Sequence, residues 1–371
     1  MATWITPLDT AGTGLRVAVK DAIDVDGVPT TVGCKAVADR AEAATTDAAC
    51  LAGARAAGAR LVGKANLHEL CFGTSGINPW FGTPVNPLDP SLVPGGSSSG
   101  SAVAVAVDEA DVGYGTDTGG SIRIPAACCG IVGLKTTWGR VPLDGVWPLS
   151  GTLDTIGPLA RTVDDVVAGM ALLEPGFSAA PTAARVVGRV RIDGVDPVID
   201  AAVDSALAKA ELEVVDVVLE GWDRAQVAFA AIIVTEAWAS DREVIEGHPD
   251  EVGASVRERV AMASMFSDEM VEEAHRTLQS WRDELAGWFE RVEVLALPTL
   301  EMFPPTLESP PLLNRLTGPF NLSQTPAISL PVPARGGPAG LPASLQIVGR
   351  WDAEDVLCTT AGRVEAAVGR M

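Results

Sequence analysis

The chain has 371 residues, of which 47% are hydrophobic, and it carries 27 lysines and arginines against 48 aspartates and glutamates. This length and composition predict a globular protein with a sizeable core and exclude a disordered chain. The net charge of −21 disfavours nucleic acids and anionic membrane surfaces as partners, because like charges repel.

The N-terminal residues and the cysteines indicate the cellular compartment. The first ten residues lack the basic and apolar segments of a signal peptide, and the sequence has no uncharged apolar run of about 18 residues. The six cysteines are too sparse for a disulfide framework, and neither they nor the three histidines follow a zinc-ligand pattern. We therefore expect a cytoplasmic protein with no metal site.

Short apolar segments alternate with helical patterns in the first half of the chain. The predicted elements are, in order, a strand over 15–19, a helix over 47–59, a strand over 60–64, a helix over 99–107, an extended segment over 111–116 and a short helix or turn over 121–129. This alternation favours an α/β layered domain with a largely buried sheet.

The pattern changes in the second half. Residues 176–185 are typical of a surface connection, and residues 222–290 predict two or three long amphipathic helices that contain four tryptophans. The predicted closing elements are strands over 292–298, 326–332 and 342–348 and a helix over 353–369. We interpret the chain as one domain, 1–371, with a core over 15–170 and 290–371 and a helical insert on the substrate side over about 200–290.

Two segments rich in glycine and serine are candidates for an active site. The first is "PGGSSSGSAVAVA" (94–106), and the second is "GYGTDTGGSIRIPAACCG" (113–130). A serine nucleophile needs a base, a relay geometry and donors for the oxyanion. In the second segment glycines lead into Ser121 at the start of a predicted helix, where main-chain N–H groups can converge on an anion.

The base is less evident from the residues. None of the three histidines lies in a motif with a serine, and His68 in "ANLHEL" is typical of a helix-surface or packing residue. Lysine can serve as the base if burial lowers its pKa from about 10.4 toward neutrality. Lys20 and Lys64 both stand at the ends of predicted strands, and on the residues alone either could serve, although most lone lysines are solvated.

The segment from Gly95 to Pro125 resembles the signature of the amidase signature family, which are serine hydrolases with a Ser–cisSer–Lys triad. The resemblance is carried by "GGSSSGS", by the spacing of 24 residues from Ser97 to Ser121, and by "GSIRIPA". Flanking segments such as "VAVKDAID" (17–24) and "TLDTIGPLARTVDD" (152–165) are similar too. The resemblance implies a single large α/β domain with a mixed, twisted central β-sheet covered by helices on both faces.

The resemblance also implies roles for individual residues. Ser121 matches the acyl-forming nucleophile, Ser97 the relay serine behind a cis peptide bond, and Lys20 the base, whereas Lys64 does not match the catalytic lysine. The main-chain donors that match the oxyanion hole belong to Thr118, Gly119, Gly120 and Ser121.

Three neighbouring residues are candidates for supporting roles. Ser98 matches a position that hydrogen-bonds around the triad, or it is simply a turn serine. Asp117 and Arg123 flank Ser121, and we expect them to fix its loop; in a few relatives an arginine near this position holds a substrate carboxylate, which is a second role open to Arg123. Cys128 and Cys129 are typical of small packing residues.

We therefore predict an amidohydrolase that cleaves the C–N bond of a small-molecule amide, with an aryl or alkyl group, through a seryl acyl-enzyme and without a metal or organic cofactor. The first half of the chain resembles compact members of the family, such as indole-acetamide hydrolases. The alternatives are an amidotransferase-type subunit that delivers ammonia to a partner, and a hydrolase of carbamates, urea derivatives or esters. A homo-oligomer is compatible with the sequence.

A different hydrolase class is less well supported. "GSSSG" (96–100) fits the nucleophile elbow of α/β-hydrolases, with Ser98 as nucleophile. That fold requires a strand directly before the elbow and a histidine late in the chain. "LDPSLVP" (88–94) is a poor strand, and no histidine follows His275.

Overall fold

The apolar segments of the sequence come together in one mixed β-sheet. The structure, a computed structural model of the chain, describes residues 2–309 and 314–369. The strands in these residues are β1 (Trp4–Pro7), β2 (Arg16–Lys20), β3 (Arg60–Ala65), β4 (Val112–Thr116), β5 (Val132–Lys135), β6 (Ile156–Ala160), β7 (Val186–Val190), β8 (Glu213–Val217), β9 (Val294–Pro298), β10 (Ala327–Val332) and β11 (Ala343–Gly349). Their order across the sheet is β1-β3-β2-β4-β6-β5-β10-β11-β9-β7-β8.

The helices cover both faces of this sheet. They are α1 (Lys35–Ala38), α2 (Ala52–Ala56), α3 (Ser99–Ala106), α4 (Arg123–Cys129), α5 (Val163–Leu173), α6 (Pro197–Lys209), α7 (Trp222–Gly247), α8 (Ala254–Ala261), α9 (Asp268–Phe289), α10 (Gly318–Leu322) and α11 (Glu354–Val368). Helices α2, α5, α6 and α11 pack on one face, and α3, α4, α7 and α10 pack on the other. The predicted α/β class, with a mixed sheet covered on both faces, is confirmed.

The strands show why the sequence folds in layers. Val17 and Val19 of β2 belong to the core on one face, whereas Ala18 between them belongs to the core on the other face. Successive side chains of a strand point to opposite faces, so a strand covered on both sides must be apolar throughout. Strand β2 follows this pattern until its last residue, which is Lys20.

The register of β2 and β4 positions the site. The two strands are parallel neighbours, with Val17 opposite Val112 and Val19 opposite Tyr114. Their carboxyl ends therefore lie at the same edge of the sheet, and this places Lys20 next to Thr116. Ligands of open α/β sheets commonly bind at such an edge.

Helix α3, which follows the first serine-rich segment, is buried from Ser99 to Val105. A helix enclosed on all sides needs small residues where its neighbours approach closely. At Gly100 a Cβ atom would lie 2.5 Å from the main chain of Asn66, and at Gly113 of β4 a Cβ atom would lie 2.8 Å from the main chain of Ser101. These small residues allow the serines that precede α3 to lie deep in the protein.

Most of the predicted elements agree with the structure to within one or two residues. The helix predicted over 47–59 is shorter, since α2 spans only Ala52–Ala56 after a single 3-10 turn. The predicted insert over about 200–290 begins instead at Trp222, because β8 within that range joins the sheet beside β7. Within the described residues no helix has both the length and the apolar character that a membrane span requires.

Candidate active site

Lys20 lies in the protein interior with its amine on two hydroxyl groups. Its Nζ is 2.7 Å from Ser97 Oγ and 2.6 Å from Thr116 Oγ1, and neither Lys20 nor Ser97 is exposed to solvent. Burial lowers the pKa of Lys20, although the nearby Cys71, Asp154 and Asp117 act in the opposite direction. An amine in this environment loses its proton more readily than a solvated lysine does.

Ser97 is held by main-chain hydrogen bonds on both sides. The Gly96–Ser97 peptide bond is cis, as the family resemblance implied. The N–H of His68 donates to the carbonyl of Ser97 at 3.0 Å, and the N–H of Gly96 donates to the carbonyl of Thr74 at 2.6 Å. A Cβ atom at Gly96 would lie 2.7 Å from the main chain of Gly76, so glycine is required there by close packing.

Ser121 lies beside the Ser97 segment and keeps a small contact with solvent. The N–H of Ser98 donates to the carbonyl of Ser121 at 3.1 Å, so the two serine-rich segments are hydrogen-bonded to each other. The Ser98 hydroxyl donates to the carbonyl of Thr116 at 3.3 Å. Ser121 is 7% exposed, whereas Ser97 and Ser98 are fully buried. A substrate can therefore reach Ser121 more easily than the other two serines.

The loop before Ser121 presents main-chain donors, with one exception. The N–H groups of Thr118, Gly119 and Ser121 have no partner among residues 2–309 and 314–369. The N–H of Gly120 instead donates to the Asp117 carboxylate at 2.7 Å. The structure thus does not support the expected oxyanion role of Gly120, since its hydrogen is already bound, and leaves three donors open.

Gly120 is needed for the shape of this loop. Its φ of +124° lies in a region that other residues rarely adopt. A Cβ atom there would lie 2.3 Å from Thr317 Oγ1. The same Thr317 hydroxyl donates to the carbonyl of Gly119 at 2.6 Å, which helps to fix the orientation of that peptide group.

Asp117 and Arg123 form a buried ion pair that supports the loop. The closest approach is 2.9 Å, and neither side chain is exposed. Burial alone would raise the pKa of the Asp117 carboxyl, but the Arg123 guanidinium and the Asn321 amide hold it well below its usual range. Asp117 also accepts hydrogen bonds from the N–H groups of Gly120 and Ile122.

The Arg123 guanidinium is fully committed to partners in the protein. It donates to Asp117, to the carbonyl of Thr317, to Gln346 Oε1 and to Asn321 Oδ1. The expectation that it fixes the loop agrees with these contacts. The second role, binding of a substrate carboxylate, does not, because the Arg123 side chain is buried and occupied.

Several residues at the site did not stand out in the sequence. Thr116 binds the Lys20 amine, and Asp154 accepts the Thr118 hydroxyl at 2.6 Å together with the N–H groups of Leu149 and Ser150. Burial raises the pKa of Asp154 to about 6 in spite of these hydrogen bonds. The sequence offered one signal for these residues: Thr116 is a polar residue at the end of a predicted buried strand.

The insert contacts the loop through residues other than its tryptophans. A Cβ atom at Gly119 would lie 2.8 Å from Phe229 and 3.4 Å from Ile233, both on α7. Trp222 and Trp281 pack edge to face at 6.1 Å and are buried in the core of the insert. The side chains of α7 at the loop are therefore apolar, and these two tryptophans have a packing role.

The structure gives packing or ion-pair roles to Lys64, His68 and the adjacent cysteines Cys128 and Cys129. Lys64 pairs with Asp21 at 3.1 Å, and neither side chain is exposed. His68 is a buried packing residue rather than one on a helix surface: it lies in a loop, its ring packs on Gly73, and burial with two nearby cations lowers its pKa to about 3. The thiols of Cys128 and Cys129 are buried, and burial raises their pKa values.

The chain is similar to several known proteins over most of its length. The family model described as Amidase matches residues 13–358. The chain is 33% identical over 413 residues to a glutamyl-tRNA(Gln) amidotransferase subunit of Halobacterium salinarum, with 97% of this chain and 96% of the relative covered. It is 36% identical over 385 residues to the 2-amino-5-chloromuconic acid deaminase of Comamonas testosteroni, covering 96% and 82%. A crystal structure of an amidase, 32% identical, superposes with a TM-score of 0.86 over 96% of this chain and 85% of that one.

Proposed function

The chain belongs to the amidase family of hydrolases that act on carbon–nitrogen bonds, and we propose that it cleaves small amides through Ser121, Ser97 and Lys20. The observation that carries this assignment is the buried contact of 2.7 Å between Lys20 Nζ and Ser97 Oγ. It provides both a base whose pKa is lowered and a hydroxyl that can relay a proton.

The geometry around the amine supports a neutral Lys20 as the base. A neutral amine has two N–H groups and one lone pair. One N–H group can donate to Thr116 Oγ1 while the lone pair accepts the proton of Ser97. Ser97 then accepts the proton of Ser121 as Ser121 attacks the carbonyl carbon of the amide.

The open N–H groups of Thr118, Gly119 and Ser121 are the donors for the oxyanion in this proposal. Each such donor contributes about 3–4 kcal/mol to the stabilisation of the transition state in serine hydrolases. Ser97 returns the proton to the leaving amine, and an acyl-enzyme on Ser121 remains. Water repeats the same sequence of proton transfers and releases the carboxylic acid.

The substrate that we propose is a small amide with an aryl or alkyl acyl group. Phe229 and Ile233 place apolar surface against Gly119, and this suits the hydrocarbon part of such an acyl group. The test is hydrolysis of primary amides, anilides, carbamates and esters by the wild-type chain and by Ser121→Ala. We expect ammonia or amine release that Ser121→Ala abolishes, and full turnover by that variant would refute the assignment.

A second candidate function is favoured by the relative from Halobacterium salinarum, which is covered over 96% of its length. In that case the chain would deliver ammonia to a partner instead of releasing it. Turnover of free amides by the purified chain, with no added partner, distinguishes a stand-alone hydrolase from an ammonia-delivering component of a complex. A cytoplasmic location and a homo-oligomer remain predictions from the sequence.

A further inference from the structure

The guanidinium of Arg259, at the end of α8, has no acceptor in the described part of the chain. No oxygen of residues 2–309 or 314–369 accepts a hydrogen bond from it or pairs with it. It lies instead over the ring of Phe72, whose centroid is 5.8 Å from the guanidinium carbon. The side chain is half-buried, and burial lowers the pKa of Arg259.

Arg259 lies close to the proposed triad. Phe72 directly follows Cys71, which lies within electrostatic range of the Lys20 amine. His68 is within electrostatic range of both Lys20 and Arg259, and its main-chain N–H binds the carbonyl of Ser97. The unpaired guanidinium therefore belongs to the surroundings of the catalytic residues and not to a distant surface.

A cavity of about 320 Å³ lies along the same helix. His68, Ser75, Ser255 and Val256 are among the residues that line it. Arg259 follows Ser255 by four residues, a rise of about 6 Å along the helix. The residues of α8 that line the cavity are Ala254, Ser255 and Val256, so the cavity ends about one helical turn before Arg259.

The carboxylate of Glu69, which lines this cavity, is already engaged. Glu69 accepts hydrogen bonds from the Trp80 indole at 2.7 Å and from the N–H of Gly253 at 2.9 Å. A guanidinium has five N–H donors in a plane that matches a carboxylate. The partly desolvated Arg259 guanidinium costs free energy as long as it lacks a hydrogen-bond acceptor, and a bound ligand can supply that acceptor. Arg123, by contrast, has all its partners within the protein.

We propose that Arg259 binds a carboxylate of the substrate, so that the chain acts on small amides that carry a second, anionic group. This rests on the proposed amidase function and specifies its substrate class. A carboxylate on Arg259 would keep one face of the guanidinium on Phe72, while the amide end of the same molecule reaches Ser121. The Arg259 side chain then selects the substrate and takes no part in proton transfer.

The test compares amides matched in chain length. Succinamate, glutaramate and adipamate carry a terminal carboxylate, and butyramide, valeramide and hexanamide are the neutral counterparts. We expect at least one carboxylated amide to exceed its counterpart in kcat/KM. Arg259→Gln should lower that value by roughly 10- to 100-fold, the size of a charge-assisted hydrogen bond, mainly through KM, and change the neutral amides by less than about twofold.

Arg257→Gln is the matched control, because Arg257 is an exposed residue on the same helix whose Nε donates to the carbonyl of Val252. It removes the same charge and should leave both substrate classes unchanged. Arg259→Lys should recover part of the activity on carboxylated amides. Equal loss in Arg257→Gln, or a wild-type preference for neutral amides that Arg259→Gln does not alter, would overturn the proposal.

A binding measurement separates this proposal from the proposed function. Glutarate should protect Ser121 from labelling by a fluorophosphonate in the wild type and in Arg257→Gln but not in Arg259→Gln. If no amide is hydrolysed, the proposed function fails, and this protection still decides the role of Arg259. Absence of protection in the wild type would refute a carboxylate site.

Discussion

Replacement of Lys20 by methionine should remove the base while it preserves most of the side-chain volume. The amine makes two buried contacts, at 2.7 Å to Ser97 and 2.6 Å to Thr116. Proton transfer by a positioned side chain contributes about 10²- to 10⁴-fold to the rate. We therefore expect Lys20→Met to lower kcat by that factor, which corresponds to about 3–5 kcal/mol in the activation free energy.

Lys64→Met is the matched control, because Lys64 is also buried and also stands near the end of a strand. Its amine pairs with Asp21 and binds the Thr30 hydroxyl. Breaking a buried ion pair costs about 3–5 kcal/mol in stability. Lys64→Met should therefore unfold at lower denaturant concentration, while each folded molecule keeps its activity within a few-fold.

The assay is amide turnover per folded molecule from neutral to alkaline pH. The lysine must be neutral to accept a proton, so activity should rise with pH as Lys20 loses its proton, and burial lowers the pKa of Lys20 from 10.5. Lys20→Met should lose this rise. Retention of the wild-type rate and pH profile by Lys20→Met, or loss of the profile in folded Lys64→Met, would refute the reasoning.

Two further changes test the supports of the site. Arg123→Met should destabilise the chain by about 3–5 kcal/mol, since it leaves the Asp117 carboxylate buried without its cation; urea denaturation measures this, and a loss below about 1 kcal/mol would contradict the role. Burial raises the pKa of Asp241 from 3.8 to about 7, although the Trp147 indole donates to it at 2.9 Å. Native Asp241 then binds a proton more readily than the unfolded chain between about pH 4 and 7, and its contribution to stability falls as pH rises through that range. Asp241→Asn should thus stabilise the chain above about pH 7, by up to about 4 kcal/mol, with little effect at about pH 4; equal effects at both pH values would contradict this.

The sequence predicted the parts of the site that depend on chain order. A strand that ends in Lys20 and two glycine-rich serine segments follow from local pattern, and the family resemblance supplied their pairing. The contact between Lys20 and Thr116 could not be predicted, because it depends on the register of β2 and β4, which lie far apart in the chain. The sequence pattern likewise cannot show that β8 extends the sheet.

The roles of hydrogen-bond donors were harder to predict than the positions of residues. Gly120 was expected to face the oxyanion, but its N–H is bound by Asp117, and Arg123 is bound by partners from distant parts of the chain. Each of these outcomes depends on which long-range acceptor lies within reach of a donor. The sequence pattern did not indicate Arg259 as a binding residue for the same reason. Its lack of a partner in the described residues is apparent only in the folded chain, where α8 lies beside Phe72.

The most direct test of the account is the rate and site of labelling by a fluorophosphonate, mapped by mass spectrometry. The account predicts a single adduct on Ser121, formed at least about 100-fold more slowly in Ser97→Ala and Lys20→Met and at the wild-type rate in Lys64→Met. An adduct on Ser98, or labelling of Ser121 at the wild-type rate in Lys20→Met, would contradict the central claim that the buried amine activates this serine.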